Sequence, residues 1–231
     1  MDFLPYQQLA KEHLGGEFKQ PQLLLTAFTH RSYLNEHKRT ASQHNERLEF
    51  LGDAVLELVV TEYLYANYPD PEGVLTNWRS ALVRTESISI AAEREGFEPL
   101  LRLSRGEKRA SSPRARRQIL ANTYEAVVGA IYLDKGYAAA RGFIERTLLS
   151  TLDEILDNGS WLDPKSRLQE MAQSSEGSTP DYRVLSEDGP DHNKTFVVGV
   201  YVDNKLRGQG TGASKQDAQV AAAAAALKSY K

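Results

Sequence analysis

The chain has 231 residues, no cysteine and a formal charge of −3, with 28 Lys and Arg against 31 Asp and Glu. The missing cysteine excludes disulfides, thiolate metal sites and a cysteine nucleophile, and the charge balance excludes a global basic field for capturing nucleic acid. No apolar run is long enough to cross a bilayer and the N-terminus lacks a signal-like pattern, so the expectation is a soluble, cytoplasmic protein without a membrane partner.

In chain order, residues 2–13 predict a short amphipathic helix ended by Gly15-Gly16. Gln20-Pro21 opens a second helix through Leu23, Leu24, Leu25 and Phe28. In Phe28-Thr29-His30-Arg31-Ser32-Tyr33, His30 reads as a hydrogen-bonded structural histidine in preference to a catalytic one. Residues 35–44 are polar and predict a loop, and Asn45 is placed to cap the next helix, which runs to about Tyr68 and stops at Pro69 and Pro71.

That helix carries Leu48, Leu51, Val55, Leu58 and Val59 on a wide apolar side. It also carries Glu46, Glu49 and Asp53 at i, i+3 and i+7, within roughly 10 Å of rise. Like charges on neighbouring turns cost a few tenths of a kcal/mol per pair. A divalent cation is the simplest compensation, because hard ions take oxygen ligands and two carboxylates one turn apart can share one. Glu57, one turn further on, reads as surface.

Pro71 to Thr76 predicts a turn, with Glu72 exposed on it. A helix from Thr76 to Ala92 follows, with Trp78, Leu82, Val83 and Ile88 as core. Arg105 to Arg117 holds six basic residues and one acid among small and helix-breaking residues. It reads either as a mobile surface loop or as a phosphate-contacting segment. The apolar helix Ile119–Asp134 contains Asn122 and Glu125 at i and i+3. Polar groups there need partners, which an ion shared with Glu49 and Asp53 would supply. Residues 136–156 give further helix, and Asp157-Asn158-Gly159-Ser160 is the clearest linker.

Beyond Asp163 the pattern changes to helix (Pro164–Gln173), three strands (Asp181–Ser186, Lys194–Val202, Lys205–Thr211) and a helix capped by Ser214 and rich in Ala. Residues 1–163 carry 19 basic and 23 acidic side chains, and residues 164–231 carry 9 and 8. Any RNA contact must therefore come from local clusters. Gly208, Gly210 and Gly212 lack a surrounding βαβ unit and do not predict a nucleotide cofactor.

The run Glu46 to Asp53, E-R-L-E-F-L-G-D, together with Thr29-His30 and Ser32-Tyr33, resembles the bacterial ribonuclease III family. The α-β-β-β-α tail, with its G-x-G before Ser214-Lys215, resembles a double-stranded RNA-binding domain. The resemblance implies a multi-domain protein: an all-α ribonuclease III catalytic domain over 1–156, a linker over 157–163 and an α+β double-stranded RNA-binding domain over 164–231. It implies hydrolysis of double-stranded RNA to 5′-phosphate and 3′-hydroxyl ends, in processing of rRNA and other structured transcripts. Mg²⁺, replaceable by Mn²⁺, would be held by Glu49, Asp53, Asn122 and Glu125. Asp53 and Glu125 would be catalytic, with Glu46 placing the substrate and an acid in the turn at Glu72 lying close to the scissile region of bound RNA. Many members have Asp where Asn122 stands, so this site would carry one negative charge fewer. RNA contacts would fall on Gln169, Glu170, His192, Ser214 and Lys215. Cutting both strands needs two centres and hence a homodimer, with Phe50 either a dimer contact or a core aromatic. Two other classes stay open: a duplex-RNA binder that does not cut, and a metal-dependent hydrolase of another phosphate ester.

Overall fold

The computed structural model describes residues 3–37, 43–157, 161, 163–190 and 194–230. Contacts divide the chain into two compact units, Met1–Asn158 and Gly159–Lys231.

Among the described residues the first unit contains helices α1 (Leu4–His13), α2 (Pro21–Ala27), α3 (Arg31–Glu36), α4 (Glu46–Asn67), α5 (Glu72–Val83), α6 (Thr85–Arg94), α7 (Arg105–Ala110), α8 (Pro113–Lys135), α9 (Tyr137–Thr147) and α10 (Leu152–Asp157). Its only β feature there is an isolated bridge between Thr29 and Arg102. α4 and α8 are the long central pair. They bury Leu56, Val60 and Leu64 from one side, and Leu120, Tyr124, Val127 and Ile131 from the other. A run of aromatic contacts, Tyr6–Phe28–Phe97–Tyr124–Phe143, with centroids 5.2 to 6.4 Å apart, ties α1, the end of α2, the segment after α6 and α9 to α8. The Tyr124 hydroxyl, wholly buried, is matched by Thr147 Oγ1 at 2.6 Å. Burial pushes its pKa up.

Four expectations change here. Asn45 does not cap α4 through its side chain. It is buried, its N–H donates to the Thr29 carbonyl at 2.9 Å, and its own carbonyl accepts from Glu49. It therefore anchors the helix start through the backbone. The helix expected over 76–92 is two, broken where Arg84 turns extended (φ −68°, ψ 152°), and the first begins at Glu72. The break lets Trp78 and Leu82 on one helix, and Ile88 and Ala92 on the next, each turn inward. The basic stretch is not a loop. Ser104 Oγ accepts the Glu107 N–H to start α7, and Ser112 Oγ accepts the Ala115 N–H to start α8. Leu58, assigned to the apolar side of α4, is half-exposed.

The second unit is α11 (Pro164–Glu176), β1 (Asp181–Asp188), β2 (Thr195–Val202), β3 (Lys205–Gly212) and α12 (Lys215–Leu227). The sheet is antiparallel in the order β1-β2-β3. Asp203 and Asn204, both at positive φ, make the tight turn between β2 and β3. Leu168, Val198, Val200 and four alanines of α12 form the core. The glycines of β3 explain the alanine run. A methyl at Gly208 would lie 2.6 Å from the Ala222 carbonyl oxygen, and one at Gly212 2.5 Å from the Ala218 amide. Bare strand and small-residue helix thus lie almost backbone to backbone.

Candidate active site

The first turns of α4 carry Glu46, Glu49 and Asp53, and the middle of α8 carries Asn122 and Glu125. Two glycines bring them together. A methyl on Gly52 would collide with the Glu125 carbonyl and lie 2.8 Å from the Gly129 amide; one on Gly129 would collide with the Leu48 carbonyl. The helices therefore touch through their backbones at this level. Around this contact Glu49, Asn122 and Glu125 are half-buried and Asp53 is exposed.

The electrostatics record that proximity. Burial, then the charges of Asp53 and Glu49, push the Glu125 carboxyl up to about 8. Burial and the Glu46 charge raise Glu49, opposed by a hydrogen bond from Asn122. Asn122 Oδ1 in turn accepts from Gln118 Nε2 at 2.7 Å, so its amide is held between Gln118 and Glu49. Glu46 stands at the rim, 3.5 Å from Arg31 and 3.8 Å from His44. The structure thus brings Glu49, Asp53, Asn122 and Glu125 into one group, with Glu46 beside it. Among the described residues no three or more His, Cys, Asp or Glu side chains stand gathered as a ready chelate. The donor set nonetheless suits a hard divalent ion in kind. It is all carboxylate and amide oxygen, and burial together with the charges of Asp53 and Glu49 keeps Glu125 protonated near neutrality.

The other expected residues are placed as follows. Glu72 is the first residue of α5 and accepts from Thr76 Oγ1 at 3.4 Å. It lines a cavity of about 650 Å³ with Tyr65, Tyr68 and Arg79. Its charge is not among those acting on Glu49 or Glu125. Phe50 is 82% exposed, so it is not a core aromatic. His30 caps α3, accepting the Ser32 N–H, as a structural histidine does. Gln169 and Glu170 are exposed on α11. Ser214 caps α12, and Lys215 pairs with Glu187 at 3.0 Å. His192 lies outside the described residues. Four contributors escaped the sequence reading: Gly52, Gly129, Gln118 and Arg31. A glycine inside each of two apolar helices was the available signal for the first two; Gln118, four residues before Asn122, was the signal for the third.

Comparison with known proteins agrees with both units. Residues 20–152 match the family described as ribonuclease-III-like, and residues 164–230 match the double-stranded RNA binding motif. The two matches define the class: a ribonuclease domain joined to its own duplex-RNA-binding domain. The chain is 44% identical to "Ribonuclease 3" of Oceanobacillus iheyensis over 230 residues, covering 99% of this chain and 98% of the relative. It is 44% identical to that of Enterococcus faecalis over 220 residues, covering 95% of each. The solved nuclease domain of ribonuclease III from Campylobacter jejuni superposes with a TM-score of 0.54 at 37% identity, covering 61% of this chain and 96% of that one. The chain belongs to the ribonuclease III family, and is an endoribonuclease of that type. No helix among the described residues is long and apolar enough to cross a membrane.

Proposed function

We propose that this protein hydrolyses phosphodiester bonds of double-stranded RNA, leaving 5′-phosphate and 3′-hydroxyl ends, at a site made by Glu49, Asp53, Asn122 and Glu125. The observation that carries this reading is the backbone contact at Gly52 and Gly129, which sets Asp53 and Glu49 against Glu125 closely enough that burial and their charges push its carboxyl up to about 8. A carboxylate group that is half-buried at Glu49 and Glu125, exposed at Asp53 and under mutual repulsion is poised for a cation. Those four residues would hold Mg²⁺ or Mn²⁺, which when bound supplies Lewis acidity and a water of lowered pKa. Asn122 contributes an uncharged donor, so the chain presents three carboxylates where an Asp in its place would give four.

Asp53 and Glu125 are the catalytic carboxylates of this reading. Before loading, Glu125 keeps its proton and relieves the repulsion. It gives the proton up when positive charge arrives. Glu46, steadied by Arg31 and His44, faces the edge of the group and positions the substrate strand. Glu72 is a further substrate contact. The working boundaries are a catalytic domain over 1–156, a linker over 157–163 and an RNA-binding domain over 164–231. The RNA-binding domain grips through Gln169, Glu170, His192, Ser214 and Lys215. The setting is the cytoplasm, in maturation of rRNA and other structured transcripts.

Two strands call for two centres, and a homodimer supplies them. Phe50, Leu58 and Tyr65 are 82%, 51% and 83% exposed and lie eight and seven residues apart, on one stripe of α4. A second copy covering that stripe removes a large apolar surface from water.

The deciding experiment is gel analysis of an end-labelled RNA duplex with Mg²⁺, with EDTA, and with Glu125→Ala. The expected outcome is cutting only by the wild type with Mg²⁺, with binding retained in all three. Binding without cutting in Mg²⁺ would leave a duplex-RNA binder, and neither binding nor cutting would point to another phosphate ester.

A further inference from the structure

Lys215 opens α12, where the duplex-binding reading needs a cation for the RNA backbone. In this chain that cation is already engaged. Its Nζ lies 3.0 Å from Glu187 Oε1 and 5.6 Å from the centre of the Phe196 ring. Glu187 and Phe196 are cross-strand partners at the end of the β1–β2 pair, so both side chains project on one face of the sheet. Ser214 is also occupied. Its hydroxyl accepts the Asp217 N–H at 3.1 Å and donates to the Asp217 carboxylate at 2.8 Å. Two groups expected to meet phosphate are thus held by acids of the same domain.

We propose that Glu187 sets the RNA affinity of this protein by competing with backbone phosphate for Lys215. This rests on the duplex-RNA-binding reading of the second unit. RNA entering this edge must draw Lys215 away from Glu187, or bind without it. In either case the domain is weaker than its basic residues alone would make it. The competition has a signature in salt. Each phosphate neutralised by a cation adds nearly one to the slope of log affinity against log salt. An exposed ion pair is itself screened, so its penalty fades as salt rises. Wild-type binding therefore falls with salt less steeply than binding by a protein whose Lys215 is free.

The test uses the full chain in EDTA, with a labelled duplex RNA titrated from about 50 to 250 mM KCl, a range in which phosphate contacts change affinity strongly. Glu187→Gln is expected to bind about two- to fivefold tighter at the low-salt end, the range of an exposed ion pair. Its slope is expected to steepen by up to about one. Glu187→Ala should behave alike. In a Lys215→Ala background, Glu187→Gln should change neither affinity nor slope. Unchanged affinity and slope in both Glu187 variants would overturn the proposal, as would a gain that survives in the Lys215→Ala background, since that gain would be long-range charge alone. Failure of the wild type to bind duplex RNA even at low salt would instead overturn the reading beneath it.

Discussion

At Glu125 the raised carboxyl has a thermodynamic consequence. The folded protein holds this proton up to about pH 8, whereas an ordinary glutamate releases it near 4.5. Stability linked to the proton is fully present below about 4.5 and is lost as pH rises through about 8. The upper bound on that loss is about 5 kcal/mol, of which about 3 has developed by pH 7. In EDTA, Glu125→Gln should therefore melt higher than the wild type at pH 8, with the two converging near pH 5, and with Mg²⁺ added it should not cleave. Calorimetry at pH 5, 6, 7 and 8 reads this directly; parallel curves would mean that Glu125 is not strained. Asn122→Asp works the other way. It replaces the amide that eases Glu49 with a further carboxylate, so the ion-free protein should lose roughly 1–3 kcal/mol, the usual penalty when a hydrogen-bond partner is removed. The same change should tighten Mn²⁺ binding, and isothermal titration checks the sign.

Between elements, the decisive contact is the one at Gly52 and Gly129. A methyl at either position runs into backbone of the facing helix, which cannot rotate away as a side-chain tip would. Gly52→Ala is expected to cost more than the roughly 1–3 kcal/mol usual for overpacking, and to separate Asp53 from Glu125. Its signature is a combined fall in melting temperature and activity that Mg²⁺ does not rescue. Gly142, which has open space around its α-carbon, is the control: Gly142→Ala should leave both unchanged or slightly raised. The same packing logic holds α12 against β3 in the second unit, where alanines face glycines.

For the whole molecule, the proposed homodimer rests on the exposed stripe Phe50–Leu58–Tyr65. Phe50→Glu should shift the protein to monomer in sedimentation and reduce double-strand cutting far more than it reduces duplex binding. A dimer that persists would remove the stripe from the argument. Much of this organisation was legible in the chain. The three acids on one helix, the Asn122–Glu125 pair, the change of pattern near Asp163 and the α-β-β-β-α order all follow from spacing, because helical and strand periods are local properties. What stayed hidden needed two segments at once. Asn45 looks like a cap, yet it is spent on the Thr29 carbonyl. The basic residues after Ser104 look like a loop, yet serine caps fold them into α7 and the head of α8. Which carboxylate is strained, which amide eases Glu49 and which acid holds Lys215 depend on distances between remote residues. Periodicity along one chain determines which residues share a face. Only close packing between faces determines what each of those residues meets, because the energies of burial and charge are set by neighbours that the local sequence does not contain.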